Sequence, residues 1–274
     1  MKQKIIIRVL GGIGNQLFIY AFARLLSLEN KDIVVKLETR TGFRNDYYNR
    51  SYKLDRFNTQ LQKATFFESL FFKIERKYPF LRKLLFKQTK LYIEDEQSKI
   101  SSTQKVFDLT NIYSVIYCQG YWQYIDFNAI RALLKEELQI SLLGNKRFIE
   151  LEKKINTVES VAIHVRRVQY SGLLEGEYYF KNMTKIISSV KKPIFFVFSD
   201  DIEWCKETFK TFECVFVENF EDELYELKLI SLCKYFVIAN STFSWWGAWL
   251  SSHEEKKVYM PEGYLECNMD CICF

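Results

Sequence analysis

The feature that most constrains the fold is the regular alternation of apolar, strand-like runs with helix-like runs. In the second half of the chain, strand-like runs occupy 161–167, 193–201, 214–218 and 235–240, and each precedes a helical pattern. Short runs that are apolar on both faces are typical of buried parallel strands. This alternation predicts an α/β fold in which helices cover a parallel sheet.

The first half begins with the same pattern and is then interrupted by a helical insertion. A strand-like run at 4–10, a GGIGN turn, a helical run at 16–28 and a strand-like run at 32–38 predict a βαβ unit. Aromatic, basic helices broken near Pro79 follow at 64–90, then a strand at 113–123 and an amphipathic helix near 127–139.

The charge distribution predicts two domains. Residues 1–155 hold 27 Lys and Arg against 16 Asp and Glu, whereas residues 156–274 hold 12 against 18. We therefore expect an N-terminal domain at 1–155 and a C-terminal domain at 156–274. The net charge of +5 is too small for a general nucleic-acid binder, which needs a sustained basic stripe.

The cysteines and the N-terminus favour a cytoplasmic protein. The seven cysteines are odd in number and include no CxxC pair, which argues against a disulfide framework. The first apolar run leads into a glycine-rich turn instead of a signal cleavage site, and no run approaches the roughly 20 apolar residues of a membrane span.

Polar residues follow three of the predicted strands at the points where they end. Ligands of parallel α/β sheets bind outside the carboxyl ends of the strands, so these residues should face one crevice. They are Arg166 and Arg167, then Ser199, Asp200 and Asp201, and then Asn240, Ser241, Thr242 and Ser244.

The chemistry of these strand ends predicts a nucleotide diphosphate site. Paired arginines offer planar forks for bidentate phosphate contacts. The N-S-T-F-S turn leads into a helix, whose free N–H groups and hydroxyls form an anion site. Carboxylates at 200 and 201 would repel phosphate but would accept hydrogen bonds from a ribose or a purine N–H edge.

Each element also has a purely structural interpretation. Arg166 and Arg167 could pair with Glu203 or Asp200, and the carboxylates of Asp200 and Asp201 could cap the following helix. The Ser/Thr turn could likewise be only a helix cap. Three such signals at three successive strand ends together favour a binding site.

The N-terminal GGIGNQLF segment partly matches a dinucleotide-binding fingerprint through Gly12, Gly14 and Glu38. Leu17 stands where the third glycine of that fingerprint belongs, which makes this the weaker interpretation. Asn15 and Gln16 instead place two amide side chains at a helix start, where they can hydrogen-bond sugar hydroxyls.

Six segments, in this order, resemble the bacterial α-1,2-fucosyltransferases: GGIGNQLFIYAFARLLS, GYWQYIDF, HVRR, YYFKNM, FVFSDDIEW and IANSTFSWWGAWLS. The resemblance spans nearly the whole chain. It implies an inverting enzyme of GT-B-like fold, with two Rossmann-like domains whose parallel sheets face a cleft. It also implies GDP-fucose as co-substrate, with no metal and no other cofactor.

The resemblance assigns roles to individual residues. Arg166 would contact the leaving β-phosphate, while His164, Asp200 or Asp201 and the Ser/Thr turn would hold the rest of GDP. The Gly12, Gly14, Asn15 and Gln16 turn would face the cleft on the acceptor side, with Trp122 beside it. The family continues HxRR as Gly-Asp-Tyr, whereas this chain has Val168, Gln169 and Tyr170.

The mechanism then follows from the charge that develops on the departing β-phosphate. The chain lacks a D-x-D motif for a divalent ion, so arginine is expected to act as the electrophile. Asp126, Glu177 and His164 remain alternative bases for the acceptor hydroxyl.

The expected reaction is fucose transfer from GDP-fucose to the 2-hydroxyl of a terminal galactoside in a glycan or O-antigen-type acceptor. Transfer of another nucleotide-activated deoxyhexose is the alternative within enzymes. A non-catalytic nucleotide-sugar or glycan-binding protein is the alternative from another class.

The segment 66–87 raises the question of a membrane surface. Aromatic residues mixed with six lysines and arginines are typical of an interfacial helix, but a solvated helix pair has the same composition. Cys267, Cys271 and Cys273 could suggest a metal site, and the final Cys271-Ile272-Cys273-Phe274 superficially fits a prenylation box. The resemblance to bacterial enzymes disfavours both.

Overall fold

The computed structural model describes residues 2–95, 101–142, 144–168, 172–265, 268–269 and 272–273. The chain divides into two compact units, Met1–Gln139 and Ile140–Phe274. The boundary precedes helix α6 (Lys146–Thr157) instead of falling at residue 155 within its last turn. Helix α6 belongs to the second unit because Phe148 packs on Tyr225, with ring centroids 5.5 Å apart.

The first unit contains a parallel sheet of five strands among the described residues. In spatial order they are β3 (Gln62–Lys63), β2 (Val34–Glu38), β1 (Lys4–Arg8), β5 (Val115–Gln119) and β4 (Thr89–Ile93). Its helices are α1 (Ile13–Glu29), α2 (Phe66–Lys77), α3 (Pro79–Leu85), α4 (Ser102–Thr110) and α5 (Arg131–Glu137).

The second unit repeats this architecture with six parallel strands among its described residues. Their order is β11 (Ile272–Cys273), β10 (Lys257–Tyr259), β9 (Tyr235–Val237), β6 (Glu159–Val165), β7 (Pro193–Ser199) and β8 (Cys214–Val217). Besides α6, its helices are α7 (Gly176–Ser189), α8 (Ile202–Thr208), α9 (Glu223–Leu232) and α10 (Thr242–Leu250).

Both sheets are buried on their two faces, as the continuous apolar runs predicted. Ile5, Ile6 and Ile7 of β1 are fully buried, and so are Val161, Ala162 and Ile163 of β6. Helix α10 is apolar on all sides and lies inside the second unit. A Cβ atom at Gly247 would come within 2.4 Å of Ile230, so glycine permits the close approach of α10 to α9.

The helical insertion forms two helices that meet at Pro79, where the sequence predicts a break. Thr65 begins α2 with a capping box, because its side chain accepts from the Glu68 N–H and the Glu68 carboxylate accepts from the Thr65 N–H. Among the described residues, no helix is long and apolar enough to cross a bilayer.

Candidate functional site

The strand order of the second sheet creates a switch point beside β6. From β6 the chain proceeds through β7 and β8 to one side, and then returns to place β9 and β10 on the other side. Such a reversal opens a crevice at the carboxyl ends of the central strands. Arg166 follows β6, and Asn240 and Ser241 follow the adjacent β9, so the predicted residues meet at this edge.

Asp200 organises the turn that follows β6. Its Oδ2 lies 2.8 Å from Nη1 of Arg166, and its two oxygens also accept hydrogen bonds from the backbone N–H groups of Arg167 (2.8 Å) and Val168 (3.1 Å). The carboxylate therefore already accepts contacts from three groups of this chain, and its predicted contact with ribose or purine stays a prediction. The structural pairing of Arg166 is with Asp200, whereas Glu203 pairs with Lys206.

Arg167 lies flat against helix α8. Its guanidinium carbon is 4.0 Å from the ring centroid of Trp204, and its Nε is 3.7 Å from Oδ2 of Asp201. Its Nη1 is buried and finds no hydrogen-bond partner among the described residues. A buried guanidinium N–H without a partner is costly, which makes it a candidate donor to an anionic ligand.

Asp201 and Ser199 support local structure. The Asp201 carboxylate accepts from the Trp204 N–H at 3.2 Å and caps α8, and its own N–H donates to Ser199 Oγ at 2.9 Å. Asp201 thus caps α8, as its structural interpretation predicts, while ligand contact by Asp201 or Ser199 stays a prediction.

In the Ser/Thr turn, the hydroxyl of Ser241 is not used to cap the helix. Ser241 is the N-cap of α10, yet its side chain makes no capping hydrogen bond. Its hydroxyl thus remains available at the positive end of the helix, together with Thr242. Ser244 is fully buried and donates to the Ser241 carbonyl oxygen, so it stabilises the first turn of the helix in this structure. Asn240 donates to the Gly172 carbonyl oxygen at 2.9 Å.

His164 is a buried neutral imidazole. Burial, and secondarily the positive charge of Arg166, lowers the pKa of His164 to about 3. Such a group is uncharged at ordinary pH and is a poor base, which removes it from the three candidates for that role. Its Nδ1 has no hydrogen-bond partner among the described residues, and its ring packs against Phe243.

In the first unit, two of the residues predicted on the acceptor side, Gln16 and Trp122, are buried. Gln16 is buried and fully hydrogen-bonded, since its amide donates to the Gly11 and Ser51 carbonyls and accepts from the Lys53 N–H. Trp122 is fully buried and stacks on Phe22, with centroids 4.1 Å apart. Both residues build the unit, and neither has exposed surface for a sugar.

The other three residues predicted on the acceptor side, Gly12, Gly14 and Asn15, lie at the start of α1. Gly14 is buried within the first turn, whereas Gly12 and Asn15 are partly exposed at the carboxyl edge of the first sheet. The Asn15 side chain accepts from Gln123 Nε2 at 2.9 Å. This bond links the loops that follow the adjacent strands β1 and β5, which form the switch point of the first sheet.

Residues 4–264 match the profile described as Glycosyl transferase family 11. The chain belongs to glycosyl transferase family 11. The predicted resemblance is thereby confirmed, and the protein is a glycosyltransferase.

Two curated relatives from Escherichia coli are similar over nearly the full length of this family 11 chain. An α-1,2-colitosyltransferase is 29% identical, over 96% of this chain and 92% of that protein. The O-antigen biosynthesis glycosyltransferase WbnK is 28% identical, over 94% of each.

Solved structures confirm the GT-B-like fold. The NodZ α-1,6-fucosyltransferase soaked with GDP-fucose has a TM-score of 0.55 at 13% identity, covering 91% of this chain and 93% of that chain. An Arabidopsis thaliana FUT1 variant in complex with GDP has a TM-score of 0.54 at 13% identity, covering 96% and 72%.

One partly buried acidic residue near this edge, Glu226, was not among the residues predicted from the sequence. Glu226 lies in the first turn of α9, which follows β8 at the same sheet edge, and burial raises its pKa to about 7. The negative charges of Glu223 and Asp200 add to this effect. Its position shortly after a strand end was the signal in the sequence that could have identified it.

Metal-ligand clusters are absent from the part of the chain that the structure describes: no three His, Cys, Asp or Glu side chains come together there. Cys118, Cys205, Cys214 and Cys233 are free thiols. Cys267 and Cys271, together with Gln169 and Tyr170, lie outside the described residues.

Proposed function

We propose that this glycosyltransferase moves L-fucose from GDP-fucose to the 2-hydroxyl of a terminal galactoside, with inversion and without a metal. The observation that carries the proposal is the switch-point edge of the second sheet, where Arg166 is oriented by Asp200 and Arg167 has a buried N–H without a described partner. Family 11 membership and the GDP-bound and GDP-fucose-bound structural neighbours support the choice of donor.

Arg166 acts on the leaving group. Its guanidinium is about one-third exposed, so one face remains accessible while Asp200 holds Nη1. As the bond to fucose breaks, negative charge accumulates on the β-phosphate, and a pre-oriented cation stabilises that charge more than the ground state. The partnerless N–H of Arg167 and the first turn of α10 then hold the remaining phosphate oxygens.

The acceptor base is left between Asp126 and Glu177. Glu177 is exposed in the first turn of α7, and Asp126 is exposed in the first unit, where it accepts from the Asn128 N–H at 2.9 Å. Either carboxylate can take the proton of a sugar hydroxyl if it comes within hydrogen-bond reach.

A second donor has a specific observation in its favour, namely the relative that transfers colitose. Colitose lacks the hydroxyl that fucose carries at carbon 3. A site that hydrogen-bonds this hydroxyl discriminates strongly against the sugar that lacks it, whereas a site without such a contact does not. A non-catalytic nucleotide-sugar-binding protein remains the alternative outside enzymes.

The donor test is a competition between GDP-fucose and GDP-colitose with galactose-terminated acceptors, read by mass spectrometry. We expect fucosylated product as the main product, and turnover that persists in excess EDTA. A preference for GDP-colitose would assign the second donor, and GDP binding without any product would favour the non-catalytic alternative. A drop of more than about tenfold in EDTA, equivalent to about 1.4 kcal/mol, would contradict metal independence.

Glu226 fits the purine end of the donor. Asp200 and Asp201 already accept hydrogen bonds from this chain, whereas Glu226 is a partly buried carboxyl near this edge whose pKa is strongly raised. An ionised carboxylate accepts two parallel N–H groups, which the Watson–Crick edge of guanine supplies.

The raised pKa of Glu226 leads to a pH prediction. Below about pH 7 the carboxyl is protonated in the free protein and must ionise on binding, so GDP affinity should rise from pH 6 to pH 8 with proton release. Calorimetry in two buffers of different ionisation enthalpy measures both quantities. Glu226→Gln should weaken binding and remove the pH dependence, whereas Glu203→Gln serves as the control. A pH profile that Glu226→Gln leaves unchanged would contradict this role.

We also propose peripheral contact of the first unit with an anionic membrane surface. Helices α2 and α3 carry large apolar side chains that are more than half exposed: Phe66, Phe67, Phe80, Leu84 and Leu85. Six lysines and arginines lie in the same segment, 66–87, which favours anionic lipid over a second copy of the same basic face.

A further inference from the structure

The two neighbouring aspartates that follow β7 hold different parts of Arg167. Asp200 accepts the Arg167 backbone N–H at 2.8 Å, which fixes where the chain turns after β6. Asp201, the next residue, approaches the Arg167 side chain, with its Oδ2 3.7 Å from Nε. The backbone and the guanidinium of Arg167 are therefore both in contact with the turn that precedes α8.

Trp204 covers the face of this guanidinium. The guanidinium carbon lies 4.0 Å from the centroid of the Trp204 ring, a distance at which a planar cation packs directly on an aromatic face. Asp201 supports both side chains, because its Oδ1 accepts the Trp204 N–H at 3.2 Å while its Oδ2 faces Arg167. The D-x-x-W spacing thus places a carboxylate and a ring together at the first turn of α8.

The Trp204 ring is itself held by the core of the second unit. It makes edge-to-face contacts with Tyr179 and Phe209, with ring centroids 6.4 Å and 6.0 Å apart. Tyr179 and Phe209 are fully buried, so the indole packs on a part of the core that is already filled. A ring fixed in this way presents a rigid surface to the arginine.

These contacts leave part of the guanidinium for another ligand. The Arg167 side chain is 18% exposed, and its Nη1 has no hydrogen-bond partner among the described residues. Asp201 approaches Nε instead of Nη1. Packing on an aromatic face fixes the plane of a guanidinium and leaves its N–H groups as donors, which are suited to phosphate oxygens.

We propose that Trp204 is a positioning residue for the donor: its ring holds the Arg167 guanidinium in the orientation in which its N–H groups bind the diphosphate. This inference rests on the proposed function, in which Arg167 contacts phosphate oxygens. An arginine loses rotamer freedom when it binds phosphate, and a ring that restricts the side chain beforehand removes part of that entropic loss. Trp204 does not touch the substrate in this role and acts through Arg167.

A double-mutant cycle, read by calorimetry with GDP, tests this role. Trp204→Leu should weaken GDP binding at least about fivefold and Arg167→Ala at least about tenfold. The Trp204→Leu/Arg167→Ala protein should bind GDP within about twofold of Arg167→Ala alone, because the ring has nothing left to position. Losses that multiply in the double variant would overturn the role, since the tryptophan would then act independently of the arginine.

Guanosine is the comparison that lacks phosphate. Trp204→Leu should leave guanosine affinity within about twofold of the parent. Equal losses for GDP and guanosine would indicate general damage to the site and overturn the positioning role. The matched control is Phe212→Leu, which removes a partly buried ring from the same core; Phe212 packs on Phe180 and Phe195, and its variant should bind GDP as the parent does.

Arg167→Lys tests the same contact without altering the core. Lysine keeps the charge but lacks the planar group that packs on the indole, so GDP affinity should fall at least about threefold. Parental affinity in this variant would overturn the role of the ring, and this measurement remains decisive if Trp204→Leu melts below the assay temperature. Trp204→Phe keeps an aromatic face and should retain most of the GDP affinity.

Failure of the proposed reaction is distinguishable from failure of this role, because the cycle measures binding and needs no turnover. If the parent binds GDP but transfers no fucose, the proposed reaction fails, while a cycle with the predicted coupling still supports the role of Trp204. A parent that binds GDP, with Trp204→Leu binding it equally well, overturns the positioning role alone. A parent that binds no GDP overturns both.

Discussion

Replacing Arg166 by alanine is expected to lower turnover by about 10² to 10³, with a much smaller effect on donor binding. The contact with the β-phosphate strengthens as the bond to the sugar breaks, so its loss falls mainly on kcat. Arg166→Lys keeps the charge but loses the planar fork, and it should remain well below the parent enzyme.

The structure also indicates that Arg166→Ala will fold. Asp200 would keep its hydrogen bonds from the N–H groups of Arg167 and Val168, so no buried carboxylate is left without donors. An ion pair with a one-third exposed arginine contributes only about 0–1 kcal/mol to stability. The loss of activity should therefore appear without a large shift in the melting temperature.

Steady-state kinetics and thermal melts of both variants test this role. Arg147→Ala, which removes an exposed arginine of α6 in the same unit, is the matched control and should retain full turnover. A normally melting Arg166→Ala enzyme within about threefold of the parent would refute the electrostatic role. Early unfolding of both Arg166 variants would instead make the arginine a structural partner of Asp200.

The second large effect is expected from Trp249→Ala, which should lower the free energy of unfolding of the second unit by about 3–5 kcal/mol. Trp245, Trp246 and Trp249 of α10 are fully buried and pack on one another, and Trp249 Nε1 donates to the Asn268 carbonyl oxygen at 3.1 Å. Alanine leaves a large cavity in this cluster and removes the hydrogen bond to the Asn268 carbonyl oxygen.

Urea unfolding followed by far-UV circular dichroism measures this change, with Trp249→Phe as the comparison because it retains most of the ring volume. The phenylalanine variant should lose substantially less stability than the alanine variant. Unchanged unfolding of Trp249→Ala together with lost GDP binding would contradict the packing role and show that this tryptophan contacts the donor.

Much of the fold could be predicted from local patterns. Runs such as 161–165 and 193–199 are apolar on both faces, and this property alone distinguishes a covered parallel strand from a half-exposed one. Pro79 lacks the N–H that a continuous helix needs, so the break between α2 and α3 followed directly. The boundary between the two units could not be predicted from local patterns. Helix α6 belongs to the second unit through a ring contact, which charge counts along the sequence do not reveal.

The sequence by itself determined that Arg166, Asp200 and Ser241 would share one edge, since parallel strands bring their carboxyl ends together whatever their side chains do. Only the tertiary structure decided which of these groups remain available to a ligand. The Asp200 carboxylate accepts hydrogen bonds from a turn more than thirty positions earlier in the chain, and Ser244 is buried. Burial raises the pKa of Glu226, with added contributions from Glu223 of the same helix and from the distant Asp200. Local periodicity specifies the element and the face of a residue, but hydrogen bonding and desolvation depend on partners that the chain supplies from distant positions.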